Sequence, residues 1–408
     1  MQIEEVQAII ERDTPIHLYE GKRILVLTPD PTRTAPLPMM VRSINEVIGR
    51  RARVLDFMVA VGSHRIIEED QILSLYGLSP HEREDSFRKS RFLCHRWDLP
   101  DTLIRIGDIG GREIAEMTNG MFNERVEITI NRGIYDYDLL LILSPVFPHE
   151  VAGFSGGNKY LFPGISGGDF VHFFHWLAAV LTCMKTIGYM DTPASKLINR
   201  AARLVSVPSH CIAMVVGSGC RLEGLFVGPT EEAWRRAAAL SARINIVYKD
   251  RSFQTVLGRA ADMYDEIWTA AKVMYKLEPV VSSGGRLIIY APHVRELSST
   301  WGEYIERIGY HTSEYYRNQM DRYRDIPKAV LAHCALVKGS GSFANGEEYP
   351  RIEVFLATGI PREQCERVNL GYMNPSEIEP EDYRQREEEG VLFVDHAGEI
   401  LHRLANRT

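Results

Sequence analysis

Residues 147–176, FPHEVAGFSGGNKYLFPGISGGDFVHFFHW, carry a lysine, Lys159, flanked by two histidines, His149 and His175. A lysine amine can bond covalently to a cofactor or hold a phosphate, and imidazole is both a proton carrier near neutral pH and a common metal ligand. Six glycines fall between Gly153 and Gly168, but Phe154, Tyr160, Leu161, Phe162 and Ile165 are interleaved with them. Such a stretch is a packed, irregular loop rather than a flexible linker, with glycine allowing positive φ and close approach of the backbone to a ligand. It is not a phosphate-binding Walker loop, because the spacing from Gly153 to Lys159 and the Tyr160 that follows break GxxxxGK[ST]. Two further polar clusters stand earlier in the chain: Asp30 and Arg33 in PDPTR, and His64 in VGSHR.

Each cluster directly follows a segment that reads as a buried strand. RILVLT (23–28) precedes PDPTR, RVLDFMVA (53–60) precedes VGSHR, and LLLILS (139–144) precedes the glycine-rich loop. Helices are predicted over 38–48 and 66–77, so the chain opens βαβα and predicts a parallel or mixed sheet. In such sheets the carboxyl ends of the strands share one edge, where ligands bind. Asp30, Arg33, His64, His149 and Lys159 can therefore converge although they are far apart in sequence. Taken singly, Asp30 between two prolines equally suits a turn, and His64 equally suits the start of the next helix.

Farther along, FVHFFHWLAAVLTCM reads as a buried helix, ASKLINRAARLV as an amphipathic one, CIAMVVGSG as a strand and PTEEAWRRAAALSARI as a helix. INIVYK is expected to close the first domain. A second α/β unit follows, with a helix over 262–277, strands RLIIYAP and RIEVFLATG, helices over 300–334, and a terminal hairpin in VLFVDHAGEILHRL turning at Ala397 and Gly398. The expected fold is thus two α/β domains, 1–258 and 259–408, with the active site in the cleft between them.

Composition narrows the function class. A net charge of -7 without a basic run argues against nucleic-acid and membrane-surface partners. Six scattered cysteines without a CxxC pair suggest neither a zinc cage nor a disulfide framework, and reduced thiols point to a cytoplasmic setting. The acidic N-terminus lacks the basic start and apolar core of a secretory signal. From the residues alone, the chain reads as an α/β enzyme with a His/Lys site for an anionic or phosphorylated ligand.

The combination of DPTR, VGSHR and PHEVAGFSGGNK, with a histidine sixteen positions after the lysine, resembles the nickel-dependent lactate racemase family. The resemblance implies a nickel pincer nucleotide, pyridinium-3-thioamide-5-thiocarboxylic acid mononucleotide, joined to Lys159 through a thioamide, with nickel held by two sulfurs, a ring carbon and His175. It implies that Asp30, Arg33, Gly156 and Gly157 lie against the cofactor, that Arg33 also meets substrate, and that His64 and His149 are the two catalytic acid/base groups. One imidazole would take the proton of a 2-hydroxyl as hydride leaves C2 for the cofactor, and the other would serve the opposite face. Dedicated maturation enzymes are implied as partners.

Two departures from the family pattern stand out. Asn158 replaces the usual arginine before the attachment lysine. At the start of the second domain, where lactate-active members carry Tyr-Gln and then Lys, this chain has Trp268, Thr269 and Lys272. Lys272 keeps a charge for the substrate carboxylate, and Trp-Thr changes the surface beside its side chain. The expected substrate is a 2-hydroxy acid bulkier or more hydroxylated than lactate. His172 is the second choice as metal ligand, and the histidines elsewhere, His333 among them, are given no role. The rival readings are a metal-dependent hydrolase or lyase using His149, His175 and an acid without a nucleotide, and a binding module that has lost catalysis.

Overall fold

The computed structural model describes residues 1–62 and 64–405. The chain forms two compact units. The first comprises Met1–Phe147, Phe154–Val171 and Met190–Ile244, and the second Pro148–Gly153, His172–Tyr189 and the chain from Asn245 on.

The first unit is built on a six-stranded sheet in the spatial order 221–229, 209–217, 139–145, 23–28, 54–59, 92–94. Every neighbouring pair is parallel except 209–217 with 221–229, which closes one edge antiparallel. The central strands Arg23–Thr28 and Leu139–Pro145 are apolar through their middles because helices and loops cover both faces: Ile24, Leu25, Val26, Leu27 and Leu140 through Leu143 are fully buried. Strand order runs outward in one direction from 23–28 to 54–59 and 92–94, and in the other from 139–145 to 209–217. The reversal falls between Thr28 and Pro145, so the loops that begin at Pro29 and Val146 leave the sheet side by side at a switch point. Those are the loops that carry Asp30 and Lys159. The expectation of a mainly parallel α/β sheet is met, and the three strands that precede polar clusters are adjacent neighbours.

The second unit has a five-stranded sheet, all parallel, in the order 371–373, 353–358, 281–291, 253–260, 391–397. The strand Phe253–Ala260 straddles the boundary expected at 258/259 and lies between two partners in this sheet. INIVYK does not end the first unit. Ile246–Lys249 pairs parallel with Leu401–Leu404, both in the second. The terminal hairpin is likewise corrected: Val391–Ala397 joins the five-stranded sheet and Leu401–Leu404 the two-stranded one, so the turn at Gly398 moves the chain from one sheet to the other. Alternating apolar residues marked both strands but could not tell a hairpin from two separate parallel pairings, which need partners remote in sequence. The helix predicted over 262–277 begins only at Ile267 and is interrupted at Ala271, giving Ile267–Ala270 and Lys272–Leu277. No helix among the described residues is long and apolar enough to cross a membrane, and none of the six cysteines is in a disulfide.

Candidate active site

In the first unit, the turn after Thr28 buries the Asp30 carboxylate, which accepts bonds from the Thr32 N–H at 2.8 Å and the Thr32 hydroxyl at 2.6 Å. Its second oxygen, Oδ2, lies 2.7 Å from His64 Nδ1. A carboxylate only accepts, so Nδ1 carries the proton and the neutral ring keeps its lone pair on Nε2. The main chain at this residue is anchored as well, since His64 O accepts the Trp97 indole N–H at 3.1 Å. Arg33 is half-buried on the same turn. Its charge and that of Asp30 both reach the buried Tyr160 hydroxyl; burial pushes this phenol well above its usual pKa, and the two charges act on it in opposite senses. The residue after Lys159 is thereby placed beside the Asp30 turn.

Lys159 is half-buried in the short helical turn Gly157–Tyr160, and the loop before it is buried from Val151 to Asn158. Gly156 and Gly157 have φ of 88° and 55°, which side-chain-bearing residues adopt at a cost. At Gly157 there is also no room: a Cβ would stand 2.9 Å from the ring of Trp234. The loop is pinned from three directions. The Gly157 N–H donates to Ser144 Oγ at 3.1 Å, the Ser155 hydroxyl to the Pro145 carbonyl at 3.0 Å, and the Trp234 indole N–H to the Ser155 carbonyl at 2.8 Å. Asn158 turns to Asn199, donating to its Oδ1 at 3.1 Å, so the residue that departs from the family's arginine serves the scaffold.

The second unit holds the other candidates. His149 is buried and its Nδ1 accepts two backbone bonds, from Val151 N–H at 3.1 Å and Ala152 N–H at 3.3 Å. Its neutral form must therefore carry the proton on Nε2, which stands 3.5 Å from Glu150 Oε1. Glu150 also lies 3.8 Å from the ammonium of Lys276, which is only 1% exposed. His172 and His175 are half-buried on the helix Gly168–Leu181, with His175 edge-on to Phe174 at 5.3 Å. Lys272 is buried, its ammonium 4.8 Å above the Tyr264 ring. The Thr269 hydroxyl donates to the Glu266 carbonyl at 3.0 Å, which spends its proton on the start of its own helix. Trp268 stacks on His333 with ring centroids 4.2 Å apart.

Sequence reasoning left out Glu150, Lys276 and His333. The first two had a signal: Glu150 adjoins His149, and Lys276 lies one helical turn beyond Lys272. His333 had none, because it sits within KAVLAHCALVK, a helix buried on all sides, where a histidine reads as core.

Residues 4–185 match the family model described as the lactate racemase N-terminal domain, a span that includes Asp30, Arg33, His64, His149, Lys159 and His175 but not Trp268 or Lys272. Among curated proteins, lactate racemases of Thermoanaerobacterium thermosaccharolyticum and Lactiplantibacillus plantarum are 23% and 25% identical; each match covers 67% of this chain and 61% of the relative's length. A crystal structure of a Thermotoga maritima protein superposes with a TM-score of 0.90 at 31% identity, covering 99% of both chains. The lactate racemase apoprotein of T. thermosaccharolyticum shares the fold, with a TM-score of 0.72 at 18% identity over 97% of this chain and 92% of that one. The matched model and these relatives place residues 4–185 of this chain in the lactate racemase family.

Proposed function

We propose that this protein is a racemase or epimerase that inverts C2 of a 2-hydroxy acid, with a nickel pincer nucleotide attached at Lys159 and nickel held by His175. The observation that carries the reading is the Asp30–His64 pair at the switch point of the parallel sheet, on the turn that neighbours Tyr160 and the attachment loop.

The donor set fits such a cofactor. Among the described residues no group of three or more His, Cys, Asp or Glu side chains is placed to hold a metal ion. A nickel ion at His175 then takes its remaining ligands from elsewhere, and sulfur-bearing arms on a nucleotide would supply them. The same fact counts against the hydrolase or lyase reading, which needs several protein ligands on one ion. The loop around Lys159 also fits, since Gly156 and Gly157 let it pack closely against Val146 and Trp234 and so hold the lysine on a fixed backbone.

When bound, the cofactor would supply a hydride acceptor. The chain's own residues manage the proton and the carboxylate. His64, with Nδ1–H held by Asp30, offers a lone pair at Nε2 to the substrate's 2-hydroxyl proton. His149, with Nδ1 occupied by backbone N–H groups, offers an N–H at Nε2 to an oxygen on the opposite face. Removing a proton on one side and donating on the other is what inversion requires. Lys272 and Arg33 supply positive charge for the substrate carboxylate. Trp268 would shape the space beside the substrate's side chain, which favours an acid bulkier or more hydroxylated than lactate. Cysteines without disulfides are in keeping with a cytoplasmic enzyme, and loading of cofactor and nickel would need maturation enzymes as partners.

Lys159→Ala, produced together with the maturation enzymes, is expected to lose the covalent adduct of several hundred daltons seen on the wild-type chain by intact mass, and with it all inversion of enantiopure 2-hydroxy acids. An adduct retained on the variant would overturn the assignment.

A further inference from the structure

The aromatic cluster around Trp268 ends in polar atoms left unsatisfied among the described residues. His333, on the helix Lys328–Lys338, is stacked against Trp268 and meets the edge of Tyr310 at 5.8 Å. Its Nδ1 lies 3.2 Å from the Tyr275 hydroxyl. Its other nitrogen, Nε2, is buried and has no hydrogen-bond partner among the described residues, and the same holds for the hydroxyl of Tyr310. A buried donor or acceptor left unpaired is destabilising, so two in one cluster point to something else that pairs with them. The ring is also within electrostatic reach of the Glu150 carboxylate, the residue next to His149.

The chemistry of the two atoms limits what they can meet. Burial pulls the His333 pKa down to about 3, so the ring is neutral at working pH. Tyr275 stays a phenol, its pKa driven well above the usual value by burial. A neutral imidazole brings no charge to a second carboxylate. Depending on which way the Tyr275–His333 proton lies, Nε2 donates or accepts, and a phenol can do either. A hydroxyl group matches both atoms in either arrangement, whereas a carboxylate can only accept and an ammonium only donate.

We propose that Trp268, His333 and Tyr310 read the side chain of the substrate, His333 Nε2 and Tyr310 Oη bonding to hydroxyl groups beyond C2, so that the substrate is a polyhydroxylated 2-hydroxy acid. This assignment rests on the racemase or epimerase reading for its reaction, but the recognition it describes can be measured separately. Trp268 supplies an apolar face for the carbon chain, and the two polar atoms reject chains that leave them unpaired.

The test uses matured, nickel-loaded enzyme with gluconate and 2-hydroxyhexanoate, which share chain length and differ in hydroxyls. Wild type is expected to invert C2 of gluconate with the higher kcat/KM. His333→Phe keeps the stacked ring and should lower the gluconate to 2-hydroxyhexanoate ratio roughly 10- to 100-fold, while His333→Gln, with an amide near the position of Nε2, should recover part of it. An unchanged ratio in His333→Phe, or a wild type that favours 2-hydroxyhexanoate, overturns the proposal. If neither acid is inverted, titration calorimetry of both acids on the same proteins decides. Gluconate binding that weakens in His333→Phe upholds the recognition and sinks the reaction, and binding indifferent to His333 overturns the recognition itself.

Discussion

The turn that carries His64 and the turn that carries His149 hold the same side chain by opposite means. A carboxylate fixes the proton of His64 on Nδ1, and two backbone N–H groups exclude it from Nδ1 of His149. One ring is left with a lone pair at Nε2 and the other with an N–H. The lesson is that the division into acceptor and donor resides in what lies behind each imidazole, a charged side chain in one case and the main chain in the other. A side chain can be mutated away, whereas main-chain donors survive any substitution that keeps the turn.

That contrast is open to attack by substitutions that supply a donor but not a base. The largest effect is expected for His64→Gln: an amide cannot take up a proton, so kcat should fall ~10²- to 10⁴-fold in matured enzyme. Asp30→Asn should follow, with a loss of about 10²-fold, because an amide donating to Nδ1 turns the His64 proton toward Nε2 and removes the lone pair; a kcat within a few-fold of wild type would contradict this. His149→Gln keeps an N–H at a similar reach, but an amide cannot give up its proton, so kcat should also fall by about 10²-fold while KM, which the retained N–H serves, changes little. A His149→Gln variant with near wild-type kcat would remove His149 from proton transfer and leave the contrast between the two turns without a catalytic meaning.

The smallest effect concerns stability and a histidine of the His149 type in the first unit. His95 is fully buried, with Nε2 3.2 Å from the Ser166 carbonyl and Nδ1 accepting from Asn131 at 3.0 Å, and burial lowers its pKa to about 4. In the unfolded chain the value is about 6.5. Between these values the unfolded chain binds a proton that the folded chain refuses, so stability falls as pH drops from about 6.5 toward 4 and is unaffected by this group above 6.5. Urea midpoints should therefore decline less steeply from pH 7 to pH 5 in His95→Gln than in wild type.

Much of the first unit was legible before any coordinates. RILVLT and LLLILS are continuous apolar runs with polar residues at one end, so both their strand character and the edge on which Asp30 and Lys159 fall could be read directly. Adjacency of two parallel strands put Asp30 and His64 on one edge, and their hydrogen bond is seen only in the structure. What could not be read were contacts made by groups that every residue carries. The N–H groups that set the His149 tautomer belong to Val151 and Ala152, whose side chains give no hint of it. The two strands of VLFVDHAGEILHRL looked like a hairpin because strand pattern is local, while their partners lie more than a hundred positions upstream. His333 was hidden for a third reason: in an apolar helix a histidine looks like core, and only the unpaired Nε2 sets it apart.

The wall behind the glycine-rich loop has a consequence in time. Trp234 reaches the Ser155 carbonyl across 79 positions of sequence and stands where any side chain at residue 157 would have to go. A nascent chain that has emerged only as far as residue 229 contains Lys159 but neither the indole nor the helix Thr230–Ile244 that brings it. Until that helix is made and docked, the lysine sits on a loop with its glycines unconstrained, and afterwards on one with a single shape. An enzyme that modifies Lys159 during synthesis therefore meets a different target from one that acts after release, and the order of translation becomes part of how this amine is presented.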